Sequence, residues 1–213
     1  MEMTNATGKI TVIREIPYLE AGEREGPKMD AWLPADAKKC RPACLLLHGG
    51  GWTTGDKGDE REQNMAETLC GLGYVVFSAN YHMAVYEDGP YRGKRLENAW
   101  PECAANAMDA VAYIRMNAGR YAVDPEKTAV IGSSAGGHLA LLIATAAEDP
   151  AWKNYRRYGD ISCRISCAVS FYGVADILSW GGNLLMPKPF AESQEEWRLA
   201  SPMEHLDKEP CPI

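Results

Sequence analysis

The sequence predicts an α/β fold, in which helices lie on both faces of a mostly parallel sheet. Short, continuous apolar runs recur along the 213 residues, and segments with helical spacing separate them. A strand that is buried on both faces reads as such a run, and helices between successive strands favour a parallel sheet. The length predicts a single domain over 1–213 that can bury a substantial core.

The elements can be assigned in order from periodicity and from the residues that interrupt it. Alternating apolar and polar side chains predict a half-buried strand, continuous apolar runs a fully buried one, and apolar residues three and four apart a helix. The predicted elements are an edge strand over 9–19 that ends at Pro17, a turn over 21–27, a strand over 29–33, a buried strand over 43–47, a polar loop over 53–60, a helix over 62–72 closed by Gly71 and Gly73, a buried strand over 74–78, a loop over 80–98, a helix over 100–116, a turn over 123–125, a strand over 128–131, a helix over 135–147, a polar surface excursion over 148–164 and a strand over 165–172.

Composition excludes several classes of function. The formal net charge is −7, and no basic stripe indicates binding to nucleic acid or to a membrane surface. The N-terminus lacks the apolar core of a signal peptide, and no segment is long and apolar enough to span a bilayer, so we expect a cytoplasmic protein. Seven cysteines without a C-x-x-C pair indicate reduced, mostly buried thiols. The charged run 56–60 is interpreted as a solvated loop, and we expect no metal and no organic cofactor.

A candidate nucleophile lies in the pentapeptide Gly132-Ser133-Ser134-Ala135-Gly136, which has the pattern G-x-S-x-G. It separates a predicted strand from a predicted helix, which is the context of a nucleophile elbow. A serine hydroxyl needs a base and a site that stabilises the oxyanion formed by its attack. The N–H of Ala135, at the helix start, has no acceptor within the helix and can serve as one donor.

A second set of donors follows the buried strand 43–47. The segment His48-Gly49-Gly50-Gly51-Trp52 contains three glycines in a row, whose backbone N–H groups can approach a substrate oxygen closely. Each donor of this kind contributes about 3 kcal/mol of transition-state stabilisation. A glycine run and a G-x-S-x-G elbow that each follow a buried strand together predict acyl-transfer chemistry.

With these two motifs the sequence resembles the acetyl-esterase and hormone-sensitive-lipase-like group of α/β-hydrolases. His48–Trp52 matches that group's H-G-G-G-W, the elbow matches over 132–140, and 80–83 lies where the group has a D-Y-R-L segment, with His82 in place of the arginine. The resemblance implies an α/β-hydrolase fold and hydrolysis of short-chain, acetyl-type esters. It implies Ser134 as nucleophile and the N–H groups of Gly50, Gly51 and Ala135 as the oxyanion hole. It also implies that His48 and Gly49 support the oxyanion loop.

The catalytic acid and base are harder to place. His138 lies one helical turn beyond Ser134 and is expected to point into packing, whereas His82 precedes the nucleophile. Asp176 and His205 follow it in the order that the fold requires, so a triad with Ser134 is formally available. The resemblance instead interprets 210–213 as the start of a further strand, with acid and base beyond it. We therefore expect a sheet that is incomplete after the sixth to seventh strand, in a chain that lacks acid and histidine and either self-associates or is complemented by a C-terminal segment.

Several alternatives stay open at this point. Trp52 and Tyr81 are predicted either to line the substrate pocket or to pack in the core. The segment 178–200, with Gly181-Gly182 and two prolines, is either a lid or a surface connection. The expected ligand is a small-molecule ester, although a formamide hydrolase of the kynurenine-formamidase type, or a non-catalytic module with this fold, would also fit.

Overall fold

The main sheet of the protein has seven strands, which lie side by side in the order first, second, third, fifth, fourth, eighth and ninth when the strands are numbered along the chain. The computed structural model describes residues 2–4, 9–19, 26–35, 40–206 and 211–213. The strands of this sheet are Glu2–Thr4 (β1), Ile10–Pro17 (β2), Lys28–Pro34 (β3), Arg41–Leu47 (β4), Val75–Ala79 (β5), Val123–Ser133 (β8) and Cys167–Phe171 (β9). Strands β5, β4, β8 and β9 run parallel, whereas β1, β2 and β3 join antiparallel.

Helices cover both faces of the sheet, as predicted. The longer helices are Glu60–Gly71 (α1), Glu102–Met116 (α2) and Ala135–Ala146 (α4), and a single turn, Ala118–Tyr121 (α3), follows α2. Helix α1 covers one face, where Ala66 and Cys70 pack with Trp32 and Leu46, and α2 and α4 cover the other. Central strand β4 is therefore buried on both faces, with Leu45 held between Phe77 and Val130.

The N-terminal strands differ from the prediction in one respect. Strand β2 was expected at the edge, but β1 pairs with it over Thr11 to Ile13 and takes the edge position. An alternating pattern shows that a strand is half-buried but does not show which strands pair with it. The three residues of β1 are too few to form a pattern of their own. The turn expected over 21–27 falls largely on residues outside the described ranges.

Two connections contain more structure than predicted. The loop expected over 80–98 includes a two-stranded hairpin of Val85–Tyr86 (β6) and Arg95–Glu97 (β7), whose strands are too short for periodicity to reveal. The turn expected over 123–125 is the beginning of β8. An irregularity in its pairing with β4, between Arg41 and Ala43, accommodates Pro125, which has no N–H for the ladder.

The segment 148–164 is a surface excursion that is anchored by a few buried residues. Trp152, in a 3₁₀ turn over Pro150–Asn154, is buried with its ring 5.5 Å from that of Trp100. The buried carboxylate of Asp109 accepts from the backbone N–H of Arg157 at 2.6 Å and pairs with the guanidinium of Arg156 at 3.4 Å. The buried residues of this segment are Trp152, Arg156 and Cys163, and the others are exposed or half-buried, so the predicted surface excursion is confirmed.

The last sheet strand of the described residues, β9, lies at the open edge. Val169 and Phe171 point away from α4 and are 40% and 45% exposed, whereas Ala168 is buried. The N–H of Ala168 donates to the carbonyl of Pro212 at 2.9 Å, which places Pro212 where a further strand is expected to begin.

Segment 178–200 holds the end of helix Ile177–Trp180 (α5), a 3₁₀ turn over Phe190–Glu192 and helix Gln194–Leu199 (α6).

Two general expectations concern membranes and thiols. Within the described ranges, no helix combines the length and the apolarity that crossing a bilayer requires. All seven cysteines are free thiols, and Cys44, Cys70, Cys103 and Cys163 are buried, as the sequence predicts.

Candidate active site

Ser134 occupies a strained turn between β8 and α4. Its φ of 51° and ψ of −115° lie in a region that residues with a side chain rarely adopt. Its N–H donates to the carbonyl of Phe171 at 2.9 Å, and its carbonyl accepts from the N–H of His138 at 2.9 Å. A strained backbone costs about 1–3 kcal/mol and persists only where the surroundings hold it, and such residues cluster at active sites.

Two glycines make this turn sterically feasible. A Cβ atom at Gly132 would lie 2.1 Å from the carbonyl oxygen of Gly136, and one at Gly136 would lie 2.0 Å from that of Leu47. Both distances are far below van der Waals contact, so neither position can carry a side chain without moving the backbone. The G-x-S-x-G pattern is therefore required by close approach of the elbow to the end of β4.

The glycine loop lies directly beside the elbow. A Cβ atom at Gly49 would be 3.5 Å from the Cβ of Ser134 and 3.1 Å from the carbonyl oxygen of Ser133. Gly50 and Gly51 have φ values of 114° and 57°, which glycine adopts at little cost. The two motifs, which the sequence places about 80 residues apart, thus form one site at the carboxyl ends of β4 and β8.

Three amide groups at this site are available to a ligand. The N–H groups of Gly50, Gly51 and Ala135 donate no hydrogen bond to any acceptor among the described residues. Ala135 begins the twelve-residue helix α4, whose dipole favours negative charge at its N-terminus. Free donors and a helix N-terminus beside Ser134 form an environment that can stabilise an oxyanion.

The ring of His48 contacts the backbone of the glycine loop. Its ring stacks on Tyr81 with a centroid separation of 4.4 Å, and its Nδ1 lies 2.7 Å from the carbonyl oxygen of Gly49. Burial lowers the pKa of His48, so the ring is neutral at pH 7 and Nδ1 carries the proton that this bond needs. A neutral, buried imidazole thus holds the carbonyl of Gly49 by a hydrogen bond.

Trp52 and Tyr81 pack in the core instead of lining a pocket. Both are almost fully buried. The Trp52 ring contacts those of His138 and Trp180 edge-on, and the Tyr81 hydroxyl donates to the carbonyl of His48 at 2.8 Å. Of the two roles predicted from the sequence, the packing role is the one that the geometry supports.

His138 points into packing, as predicted. It is fully buried, and its Nε2 donates to the carbonyl of Ala200 at 2.7 Å. Burial lowers the pKa of His138 to about 4. His82, which precedes the elbow in the sequence, is partly exposed, and its Nε2 lies 3.9 Å from the carboxylate of Glu97.

Asp176 and His205 do not form the triad that their order in the sequence makes available. Asp176 caps α5 by accepting from the N–H groups of Leu178 and Ser179, and it also accepts from the hydroxyl of Ser201. His205 instead lies 3.2 Å from the carbonyl oxygen of Leu199 and 3.8 Å from the carboxylate of Asp149. Within the described part of the chain, no histidine side chain is hydrogen-bonded to the hydroxyl of Ser134.

A second polar contact at the elbow was not predicted. Arg61, at the start of α1, donates to the hydroxyl of Ser133 and, at 2.9 Å, to that of Tyr172. It also pairs with the buried carboxylate of Glu62 at 2.8 Å. A single guanidinium thus connects α1, the elbow and the end of β9. These contacts join side chains up to 111 positions apart, and no local pattern in the sequence indicates them.

The charged run 56–60 is not simply solvated. Lys57 is buried, with its ammonium 3.3 Å from the carboxylate of Asp30 and paired with Glu15. Asp56 accepts from the side chain of Asn80 at 2.7 Å. Over the residues that the structure describes, no group of three or more metal-ligating side chains could hold a metal ion.

Comparison with known proteins gives a family. Residues 29–213 match the family model described as BD-FAE. The probable carboxylic ester hydrolase LipM of Mycobacterium tuberculosis is 26% identical over 93% of this chain, and esterase LipQ of the same organism is 28% identical over 93%. This chain spans about 46% of the length of each of these two relatives.

Solved structures give the same fold. Esterase 2 of Thermogutta terrifontis, phosphorylated by paraoxon, is 25% identical with a TM-score of 0.68, covering 90% of this chain and 65% of its own. A truncated carbohydrate esterase from gut microbiota has a TM-score of 0.74 at 19% identity, covering 98% and 76%, and shows the fold alone. Because the family match covers most of the chain and the fold agrees, this protein belongs to the BD-FAE family of α/β-hydrolases, as the H-G-G-G-W and G-x-S-x-G motifs predict.

Proposed function

We propose that this protein hydrolyses carboxylic esters with short acyl groups through an acyl-enzyme formed on Ser134. The observation that carries the proposal is the strained Ser134 turn beside a glycine loop with unused amide donors. The hydroxyl of Ser134 attacks the ester carbonyl, and the N–H groups of Gly50, Gly51 and Ala135 stabilise the oxyanion. The alcohol leaves, and water then releases the acid.

Relatives support this reaction class. LipM is named a probable carboxylic ester hydrolase and LipQ an esterase. One structure of the T. terrifontis esterase holds butyrate, which favours short acyl groups, and others are phosphorylated or phosphonylated. Acetyl-type esters are the substrates that the sequence resemblance implies, and a cytoplasmic location is part of the same proposal.

The acid and the base are proposed to come from a complementing segment. His48 and His138 are buried and bonded to backbone carbonyls, and Asp176 is a helix cap. Residues 1–213 then supply the nucleophile and the oxyanion donors, and turnover by these residues alone is expected to be very low. Removing the histidine of a serine triad lowers kcat by roughly a millionfold.

The test compares residues 1–213 with the protein at its full natural length. We expect the full-length protein to hydrolyse p-nitrophenyl acetate and butyrate faster than the octanoate, and to react with a fluorophosphonate. Ser134→Ala should abolish both activities. Preferred hydrolysis of N-formylkynurenine would indicate a formamidase, and absence of labelling at full length would indicate a non-catalytic module.

A further inference from the structure

The hairpin β6–β7 brings one tyrosine onto the glycine loop. The turn of the hairpin is closed by a bond from the N–H of Arg92 to the carbonyl of Gly89 at 3.0 Å. Tyr91 is its third residue and has a φ of 62°. With Pro90 before it, this is the arrangement of a type II turn, in which the third position normally requires glycine. A tyrosine there costs about 1–2 kcal/mol, so its side chain should have a compensating role.

That side chain contacts the loop at the peptide between Gly50 and Gly51. The Tyr91 hydroxyl donates to the carbonyl of Gly50 at 2.7 Å. A Cβ atom at Gly51 would lie 2.2 Å from the same hydroxyl, so Gly51 must lack a side chain for this bond to form. The carbonyl also accepts from the N–H groups of Thr53 and Thr54, at 3.1 and 3.0 Å, and from the hydroxyl of Thr54 at 3.1 Å. Among these donors, Tyr91 is the one that reaches the carbonyl from outside the loop segment 48–54.

The contact fixes a donor as well as an acceptor. The carbonyl of Gly50 and the N–H of Gly51 belong to one planar trans peptide, in which they point in opposite directions. A bond that holds the carbonyl therefore also holds the N–H on the opposite side. Within the described residues that N–H has no acceptor.

The hairpin is rigidly mounted. The guanidinium of Arg95 lies over the ring of Tyr86 at 5.5 Å, and its Nε donates to the Tyr86 hydroxyl at 3.0 Å. The same guanidinium also donates to the carbonyls of Asn183, Leu184 and Met186. The ring of Tyr86 in turn lies 6.1 Å from that of Tyr91. The tyrosine hydroxyl is therefore supported from the segment 183–186.

We propose that Tyr91 is a positioning residue that fixes the orientation of the Gly50–Gly51 peptide and thereby keeps the N–H of Gly51 directed toward the oxyanion. The inference rests on the proposed esterase function. Tyr91 does not react with the substrate. It acts through the peptide, so its loss should lower the rate of the chemical step more than the affinity for substrate.

The test uses Tyr91→Phe in the protein at full natural length, with Tyr155→Phe as matched control. Tyr155 is exposed and its ring contacts Trp152, so Tyr155→Phe removes a tyrosine hydroxyl outside both the hairpin and the glycine loop. We expect Tyr91→Phe to lower kcat for p-nitrophenyl acetate roughly five- to tenfold, the effect of one neutral hydrogen bond, with KM changed less than about twofold. Amide hydrogen exchange over 49–54 should accelerate in Tyr91→Phe and stay at the wild-type rate in Tyr155→Phe.

Three results would overturn the inference: wild-type kcat in Tyr91→Phe, an equal loss of kcat in Tyr155→Phe, or unchanged exchange over 49–54 in Tyr91→Phe. Failure of the proposed function is distinguishable, because it appears as wild-type hydrolysis that Ser134→Ala does not reduce. In that case the exchange measurement alone decides whether Tyr91 holds the loop.

Discussion

Acidification should destabilise the protein through His138. This ring is fully buried behind the elbow, with Nε2 bonded to the carbonyl of Ala200 and Nδ1 without a hydrogen-bond partner among the described residues. Burial lowers the pKa of His138 from 6.5 to about 4. Between these values the unfolded chain binds a proton that the folded protein does not, so the free energy of unfolding falls as pH falls. Above pH 6.5 the ring is neutral in both states, and below about 4 the loss is complete.

The magnitude follows from the two pKa values. Each factor of ten in proton affinity is worth about 1.4 kcal/mol, so the full effect is about 3 kcal/mol. Between pH 7 and pH 5, the part that His138 contributes is about 2 kcal/mol. That is a large fraction of the roughly 5–15 kcal/mol that stabilises a typical domain.

The assay is urea unfolding of wild type and His138→Gln at pH 7, 6 and 5. Glutamine keeps an N–H donor for Ala200 but cannot titrate, so the variant should lose about 2 kcal/mol less than wild type over this range. His48, whose pKa is also lowered by burial, remains in both proteins, and its contribution cancels. An identical pH dependence in wild type and His138→Gln would refute the reasoning.

Three further predictions concern the elbow, a buried ion pair and the open edge of the sheet. Gly136→Ala should destabilise the fold by about 3 kcal/mol or more in thermal unfolding, because the new Cβ would lie 2.0 Å from the carbonyl oxygen of Leu47. The control Gly119→Ala, where the Cβ would meet open space, should be neutral or stabilising. Asp109→Ala should lower the free energy of unfolding in urea by about 3–5 kcal/mol, because it leaves the buried guanidinium of Arg156 without its carboxylate. Asp160→Ala, which breaks an exposed ion pair with Lys153, should cause no measurable change, and equal effects of the two substitutions would contradict the prediction. Val169→Lys should reduce the self-association of residues 1–213, measured by light scattering, because it places a charge on the exposed face of β9. Leu72→Lys, which places the same charge at an exposed position at the end of α1, should leave self-association unchanged.

The elbow and the glycine loop could be predicted because local residues determine them. Ser134 is flanked by glycines that close contacts demand, and each motif follows a strand whose continuous apolar run is visible in the sequence. The order of chain segments then brings both motifs to the same edge of a parallel sheet. Helix α2 was equally predictable, since its apolar positions repeat at helical spacing over fifteen residues.

The remaining features depend on contacts between distant side chains. Nothing near Arg61 in the sequence indicates that it bonds Ser133, and nothing near Lys57 indicates its burial against Asp30. The hairpin that carries Tyr91 has strands of two and three residues, too short to show alternation. Composition places 148–164 at the surface but does not reveal that Asp109 accepts from the backbone N–H groups of Arg157 and Tyr158 and so anchors the segment.

The bond from the Ser134 amide to Phe171 has a consequence for dissecting the protein into pieces. The strained conformation at residue 134 is held by a carbonyl that lies some forty positions further along the chain, in β9. A truncation series that stops before Phe171 would therefore let the serine relax, while pieces ending beyond it would retain the bend. Any split version designed for reassembly should place its breakpoint after this strand, where the first half already carries a preorganised serine.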